Sequence, residues 1–264
     1  MLCIKRSCPG SQRQATASKV SRCTPKASPL SRYAQFHQIF RDILTRLQNN
    51  RPIQQWEGDP DSKDVSDTTF TLELISHLES TYCIDPSKIY ANGKSNGAAF
   101  TGILACNSTT ASKIAAFAAA APAVYLSNKT HELPDCRPGR KVPFMELHGL
   151  KDGTANYTGG LNSRSNGYTV DIPTYVNYLA KADGFNPSAN DTSTLCSADA
   201  GREVKKFTWD GSKETIVHYR YENVAHDWMS ATPNKDTKDK DYLLTCKEAE
   251  ATKLMLDWYA KWTL

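Results

Sequence analysis

Lys88-Ile89-Tyr90-Ala91-Asn92-Gly93-Lys94-Ser95-Asn96-Gly97-Ala98-Ala99-Phe100 carries three signals in succession. Ile89, Tyr90 and Ala91 are β-prone, Gly93-Lys94-Ser95-Asn96-Gly97 reads as a tight turn, and the small residues from Ala98 to Cys106 read as a helix. A Gly-x-Ser-x-Gly match alone is weak, because an ordinary strand-to-helix turn also uses glycine and serine. Placed between a strand and a helix, it matches an elbow in which a strained turn lifts the serine hydroxyl above the edge of a sheet. Side chains at Gly93 and Gly97 are expected to collide there with neighbouring backbone.

A serine hydroxyl is a poor nucleophile near neutral pH. An imidazole must accept its proton, and a carboxylate must fix the imidazole's tautomer. In open α/β sheets the chain order is Ser, then acid, then His. Asp152 follows the apolar run Val142 to Leu147 and His148-Gly149, and His226 follows the run that ends at Tyr221. Both are expected at the carboxyl edge of the sheet, where such folds bind ligands. A solvated loop acid remains the alternative for Asp152. His37, His77, His131 and His218 fit the base less well. His148 is the real competitor, although it shares its strand end with Asp152 and reads more simply as a structural histidine.

Outward from the elbow, Asp67 reads as a helix N-cap, with Phe70, Leu72, Leu74, Ile75 and Leu78 on the helix that follows. Ala115 to Tyr125 fits strand or helix. Ile172 to Lys181 reads as a helix. Val204 to Trp209 and Thr215 to Tyr221 flank Asp210-Gly211, a hairpin signal, and Glu248 to Trp262 closes the chain as a helix. Upstream, the spacing of Tyr33, Phe36, Ile39, Phe40, Ile43, Leu44 and Leu47 predicts an amphipathic helix. Strands alternating with helices predict an α/β fold with a mostly parallel sheet.

The 264 residues suit one large domain, read as residues 51–264 behind a basic segment of residues 1–50. That segment holds nine Lys or Arg and one acid, so the +4 net charge of the chain hides an acidic remainder. The basic residues lie in one terminal stretch with no aromatic among its first 32 residues, which argues against nucleic-acid binding. No apolar run has the length of a membrane span. Eight scattered cysteines lack the CxxC pairs of a zinc site and fit disulfides in an oxidising compartment. Sequons at Asn107, Asn128, Asn156 and Asn190 agree with secretion, whereas no signal peptide is visible.

From about Trp56 to Leu264 the sequence resembles the fungal feruloyl esterases of carbohydrate esterase family one, relatives of the extracellular polyhydroxybutyrate depolymerases. Three motifs carry the likeness. Thr81 to Gly97 with Phe100-Thr101 and Leu104-Ala105-Cys106 resembles the nucleophile region. Glu146-Leu147-His148-Gly149 with Asp152, Tyr157 and Gly159-Gly160 resembles the acid loop, and His226-Asp227-Trp228 with Thr232-Pro233-Asn234 resembles the histidine loop. The resemblance implies an α/β-hydrolase-like fold and cofactor-free, metal-free hydrolysis of feruloyl esters on plant arabinoxylan outside the cell. It makes Ser95, Asp152 and His226 the triad, gives the Asn96 N–H a place in the oxyanion hole, and leaves Trp228 either against the acyl group or in packing. Acetylxylan esterase, polyhydroxybutyrate depolymerase and an inactive homologue are the alternatives.

Ala98 and Met229 stand where the family often has glycine and proline. The larger departure lies upstream, where residues 1–55 show neither the usual first strands nor a His-Gly oxyanion loop. We therefore expect a sheet lacking its N-terminal strands, with residues 1–50 as a faulty or divergent replacement. For disulfides, Cys83 with Cys106 and Cys196 with Cys246 are the expected pairs, leaving Cys136 without a partner in the family-like region.

Overall fold

A computed structural model describes residues 2–4, 55–62, 66–197, 201–234 and 245–264. The chain divides into Met1–Ser7 with Gln55–Leu264, and Cys8–Gln54. All described residues belong to the first unit. The amphipathic helix read over residues 33–47 lies outside them, as does most of the 1–50 segment.

Seven strands form one sheet. They are β1 (Leu2–Ile4), β2 (Ile89–Lys94), β3 (Ala116–Ala120), β4 (Phe144–Gly149), β7 (Asp191–Leu195), β8 (Val204–Trp209) and β9 (Ile216–Tyr221), in the order β1-β2-β3-β4-β9-β8-β7. Strands β2, β3, β4 and β9 run parallel, while β1, β8 and β7 pair antiparallel at the two margins. The hairpin β5 (Gly160–Leu161) and β6 (Tyr168–Thr169) stands apart. The helices are α1 (Asp67–Thr81), α2 (Asn96–Cys106), α3 (Ser108–Ala111), α4 (Ile172–Ala182) and α5 (Ala251–Tyr259). This mostly parallel sheet flanked by helices is the expected α/β-hydrolase-like architecture.

Side chains alternate across each strand, so the parallel strands feed two cores. Ile89, Ala91, Phe117, Ala119, Phe144 and Ile216 join residues of α1, α2 and α4 on one face. Tyr90, Ala118, Met145, Leu147, Val217 and Tyr219 meet Met255, Trp258 and Tyr259 of α5 on the other.

Several local readings shift. Ser66, not Asp67, caps α1: its Oγ accepts the Thr69 N–H at 3.2 Å, while Asp67 turns inward and accepts the Glu57 N–H at 2.8 Å. The alanine run resolves as a strand. The β8–β9 connection is a longer loop containing a short 3₁₀ turn, Gly211–Lys213, in place of a two-residue turn. Strand β1 puts a short antiparallel edge where residues 1–50 show no strand pattern, and β7 is an unpredicted edge whose Asp, Thr and Ser residues lack apolar alternation.

The disulfides are Cys106–Cys136 and Cys196–Cys246. The second is the expected pair. The first replaces Cys83 with Cys106 and supplies the partner for Cys136. A parallel bridge between Asn107 and Arg137, with the Arg137 N–H donating to the Cys106 carbonyl at 3.0 Å, brings the two Cα atoms to 4.3 Å. Its sequence separation of 30 predicts a loss of about 3.5 kcal/mol in a Cys106→Ala/Cys136→Ala variant by the chain-entropy relation. Denaturant unfolding without reductant checks this, and an unchanged midpoint contradicts it.

Candidate active site

Ser95 is the residue between β2 and α2, with φ 56° and ψ −122°. A positive φ at a residue with a β-carbon stores strain of about 1–3 kcal/mol and recurs at functional turns. The surroundings hold it there. The Ser95 N–H donates to Ala120 O at 3.0 Å, and the Ser95 carbonyl accepts from Ala98 and Ala99 at 3.0 Å each and from Ala123 at 3.3 Å. The end of β3 is tied to β4 in turn, by the Ala121 N–H on Leu147 O at 2.7 Å.

The two motif glycines differ. A β-carbon on Gly93 would lie 2.2 Å from Gly97 O, which no small adjustment relieves, whereas one on Gly97 would meet only the Trp56 ring at 3.7 Å. Only Gly93 is sterically required. The expectation for Gly97 fails because this residue lies in the first turn of α2, with its open side toward a movable indole.

Asp152 follows β4 on a tight turn and is 3% exposed. The loops that bear acid and base are joined by backbone. Leu150 N–H donates to Tyr221 O at 2.8 Å and Lys151 N–H to Val224 O at 3.0 Å, and a β-carbon on Gly149 would lie 2.0 Å from Val224 O. This close approach carries His226 to Asp152. Its Nδ1 donates to Asp152 Oδ2 at 2.7 Å, while Oδ1 accepts from the Thr154 and Ala155 N–H groups at 2.8 and 2.7 Å. Burial opposes the Asp152 charge, but hydrogen bonds from His148 and His226 and the His226 charge hold its carboxyl well below the usual range.

His226 remains partly accessible, with 18% side-chain exposure. Ser95 and the Asp152–His226 pair all stand at the carboxyl ends of the parallel strands. Among the described residues no hydrogen bond joins Ser95 Oγ to His226, so the structure brings Asp152 and His226 together without a bond to Ser95. Such bonds commonly close only when substrate is bound.

Asn96, the first residue of α2, has an N–H in the helix's unsatisfied first turn. Its side chain accepts the Trp56 N–H at 2.7 Å and donates to Trp56 O at 3.4 Å. Trp56 in turn stacks on Phe100, with centroids 5.2 Å apart, and keeps 37% of its surface exposed. The loop over residues 55–62 is fixed from a second side by Arg164, which binds Asp59 at 2.7 Å and Asp61 at 2.9 Å. Trp228 is half-buried, and its Nε1–H donates to Thr252 Oγ1 of α5 at 3.1 Å.

His148, the rival base, is fully buried. Its Nε2 faces Ala155 O at 2.7 Å and Asp152 Oδ2 at 3.3 Å, and its Nδ1 faces Glu146 Oε1 at 3.1 Å. It has no path to a substrate. Glu146 and His218, for which the sequence suggests no role, extend this cluster: His218 Nδ1 bonds the other Glu146 oxygen and His218 Nε2 meets Tyr157 OH at 3.0 Å. The signal for Glu146 is the Glu146-Leu147-His148 alternation, two polar residues on one face of an otherwise apolar strand.

Over 110 residues the chain is 32% identical to feruloyl esterase B of Piromyces equi, a stretch covering 41% of this chain and 20% of that protein. The chain thus matches about a fifth of the relative's length. An acetyl xylan esterase from Aspergillus awamori aligns over 74% of this chain and 68% of its own, at 14% identity and a TM-score of 0.45. A thermostable esterase aligns over 81% and 42%, at 14% identity and a TM-score of 0.44. No protein-family model matches the chain. The resemblance to fungal feruloyl esterases, read from three motifs, is borne out by the Piromyces match.

Proposed function

We propose that this chain hydrolyses feruloyl esters of plant arabinoxylan through an acyl-enzyme on Ser95. The observation that carries this reading is the Asp152–His226 hydrogen bond of 2.7 Å at the sheet edge where the strained Ser95 turn also ends. Ser95 Oγ attacks the ester carbonyl as His226 Nε2 takes its proton, and the sugar alcohol leaves with that proton. Water then repeats the sequence and releases the acid. Asp152 holds the Nδ1–H tautomer and offsets the imidazolium charge. The Asn96 N–H donates to the oxyanion, a contribution of typically about 3 kcal/mol. None of these steps calls on a metal or organic cofactor.

The exposed Trp56 ring, held by Asn96 beside the oxyanion donor, offers a flat apolar face suited to a hydroxycinnamoyl ring and of little use to an acetyl group. Two disulfides fit an oxidising, extracellular setting, and Asn107, Asn128 and Asn156 of the sequons are exposed. A labelled organophosphonate should modify Ser95 in the folded protein. Methyl ferulate should be hydrolysed faster than acetylated xylan or short polyhydroxybutyrate. A reversed substrate order overturns the acyl assignment, and an unlabelled Ser95 overturns the esterase reading in favour of an inactive homologue.

A further inference from the structure

We infer that His148 is a buried imidazolium clamped between Glu146 and Asp152, and that it acts as a positioning residue which holds the triad acid and restrains the basicity of His226. The inference rests on the reading of Ser95, Asp152 and His226 as a triad.

The proton count follows from the partners. Ala155 O only accepts, so the 2.7 Å contact puts a proton on His148 Nε2. Nδ1 faces a carboxylate oxygen of Glu146 at 3.1 Å, and both side chains are fully buried. A neutral ring would set its Nδ1 lone pair against that oxygen with no solvent to separate them. A second proton on Nδ1 removes the conflict and makes the ring a cation. Burial opposes that cation, but hydrogen bonds to Asp152 and Glu146 outweigh it and raise the group to about 9. Burial likewise opposes charge on Glu146, and the His218 charge with hydrogen bonds from both histidines keeps it below its ordinary value.

Strand geometry makes the arrangement obligatory. Glu146 and His148 are two apart on β4 and share a face, and His218 is the β9 register partner of Glu146. Phe207 and Tyr157 stack on the His218 ring at 5.4 and 5.8 Å, and Tyr157 meets His148 edge-on at 5.8 Å. The other titratable groups around this cluster are Tyr175, Arg220 and Glu222. The result is a line of alternating charge, Glu146, His148, Asp152 and then His226 whenever it takes the serine proton.

A cation 3.3 Å from Asp152 Oδ2 weakens the hold of that carboxylate on the His226 proton. The imidazolium formed at His226 is then held less firmly and surrenders its proton more readily to the leaving alcohol. Removing the His148 charge should therefore raise the His226 midpoint by about one pH unit, a tenfold change in proton affinity.

The test is nitrogen-15 imidazole NMR of the full chain and of His148→Gln, a variant that keeps an N–H donor but no charge. The expected result is an upward shift of the His226 midpoint, matched by the acid limb of kcat/KM on methyl ferulate. An unmoved or lowered midpoint overturns the inference. If the variant does not fold, the parent protein decides: at pH 7.5 both ring nitrogens of His148 should be protonated, and a neutral ring overturns it. A shifted midpoint in a chain that hydrolyses no ester supports the coupling and overturns the esterase reading alone.

Discussion

Replacing Ser95 with alanine is expected to lower kcat on methyl ferulate by a factor on the order of 10⁶, with thermal unfolding within a degree or so of the parent. The size follows from the loss of the only oxygen that can form the acyl bond, because the neighbouring N–H groups then act on water alone. Alanine keeps the β-carbon, so the positive φ of residue 95 and its bonds to Ala120 and Ala123 are undisturbed. Groups that act as one unit are not additive. A Ser95→Ala/His226→Ala double variant should therefore be no slower than Ser95→Ala by more than a fewfold. Steady-state assays by chromatographic detection of ferulate check both statements, and a loss below about a hundredfold would exclude the acyl-enzyme route.

The second large effect separates two residues that a motif treats as equal. Gly93→Ala should destabilise the fold by about 3 kcal/mol or more and slow phosphonate labelling of Ser95 by about 100-fold. Its β-carbon would meet the Gly97 carbonyl at 2.2 Å, and moving that carbonyl displaces the first turn of α2 with the Asn96 N–H. Gly97→Ala should do the reverse. It adds a methyl in ordinary contact with the Trp56 ring inside a helix, which favours stability by up to about 1 kcal/mol and leaves labelling within about threefold. Denaturation midpoints and labelling rates, measured side by side, decide the matter. Equal damage from both substitutions would refute the steric account.

The Ser95 turn and the meeting of Asp152 with His226 are legible because each residue follows a β-prone run and their chain order maps onto parallel strands. What lay beyond the sequence depended on contacts between distant segments. Glu146 and His218 are 72 residues apart and meet only through the β4–β9 register. Cys106 pairs with Cys136 through a one-residue bridge at Arg137, a contact that no local pattern in the sequence announces. Edge strand β7 escaped notice because an exposed margin needs no apolar alternation. Asp67 looked like a cap by residue type, but the Glu57 N–H claimed its carboxylate and left the capping to Ser66.

Strand β3 lies between β2, which leads into Ser95, and β4, which leads to Asp152, and four of its five residues are alanines with no exposure. It supplies no reacting group, yet it sets the roughly 10 Å between the backbones of its neighbours. Its alanines already carry the smallest side chain that keeps a β-carbon, and α2 and α5 close over them from opposite faces. Variation at these positions is consequently one-sided. Nearly every available replacement is an enlargement, and the closed cores on both faces leave this strand only a vocabulary of small residues.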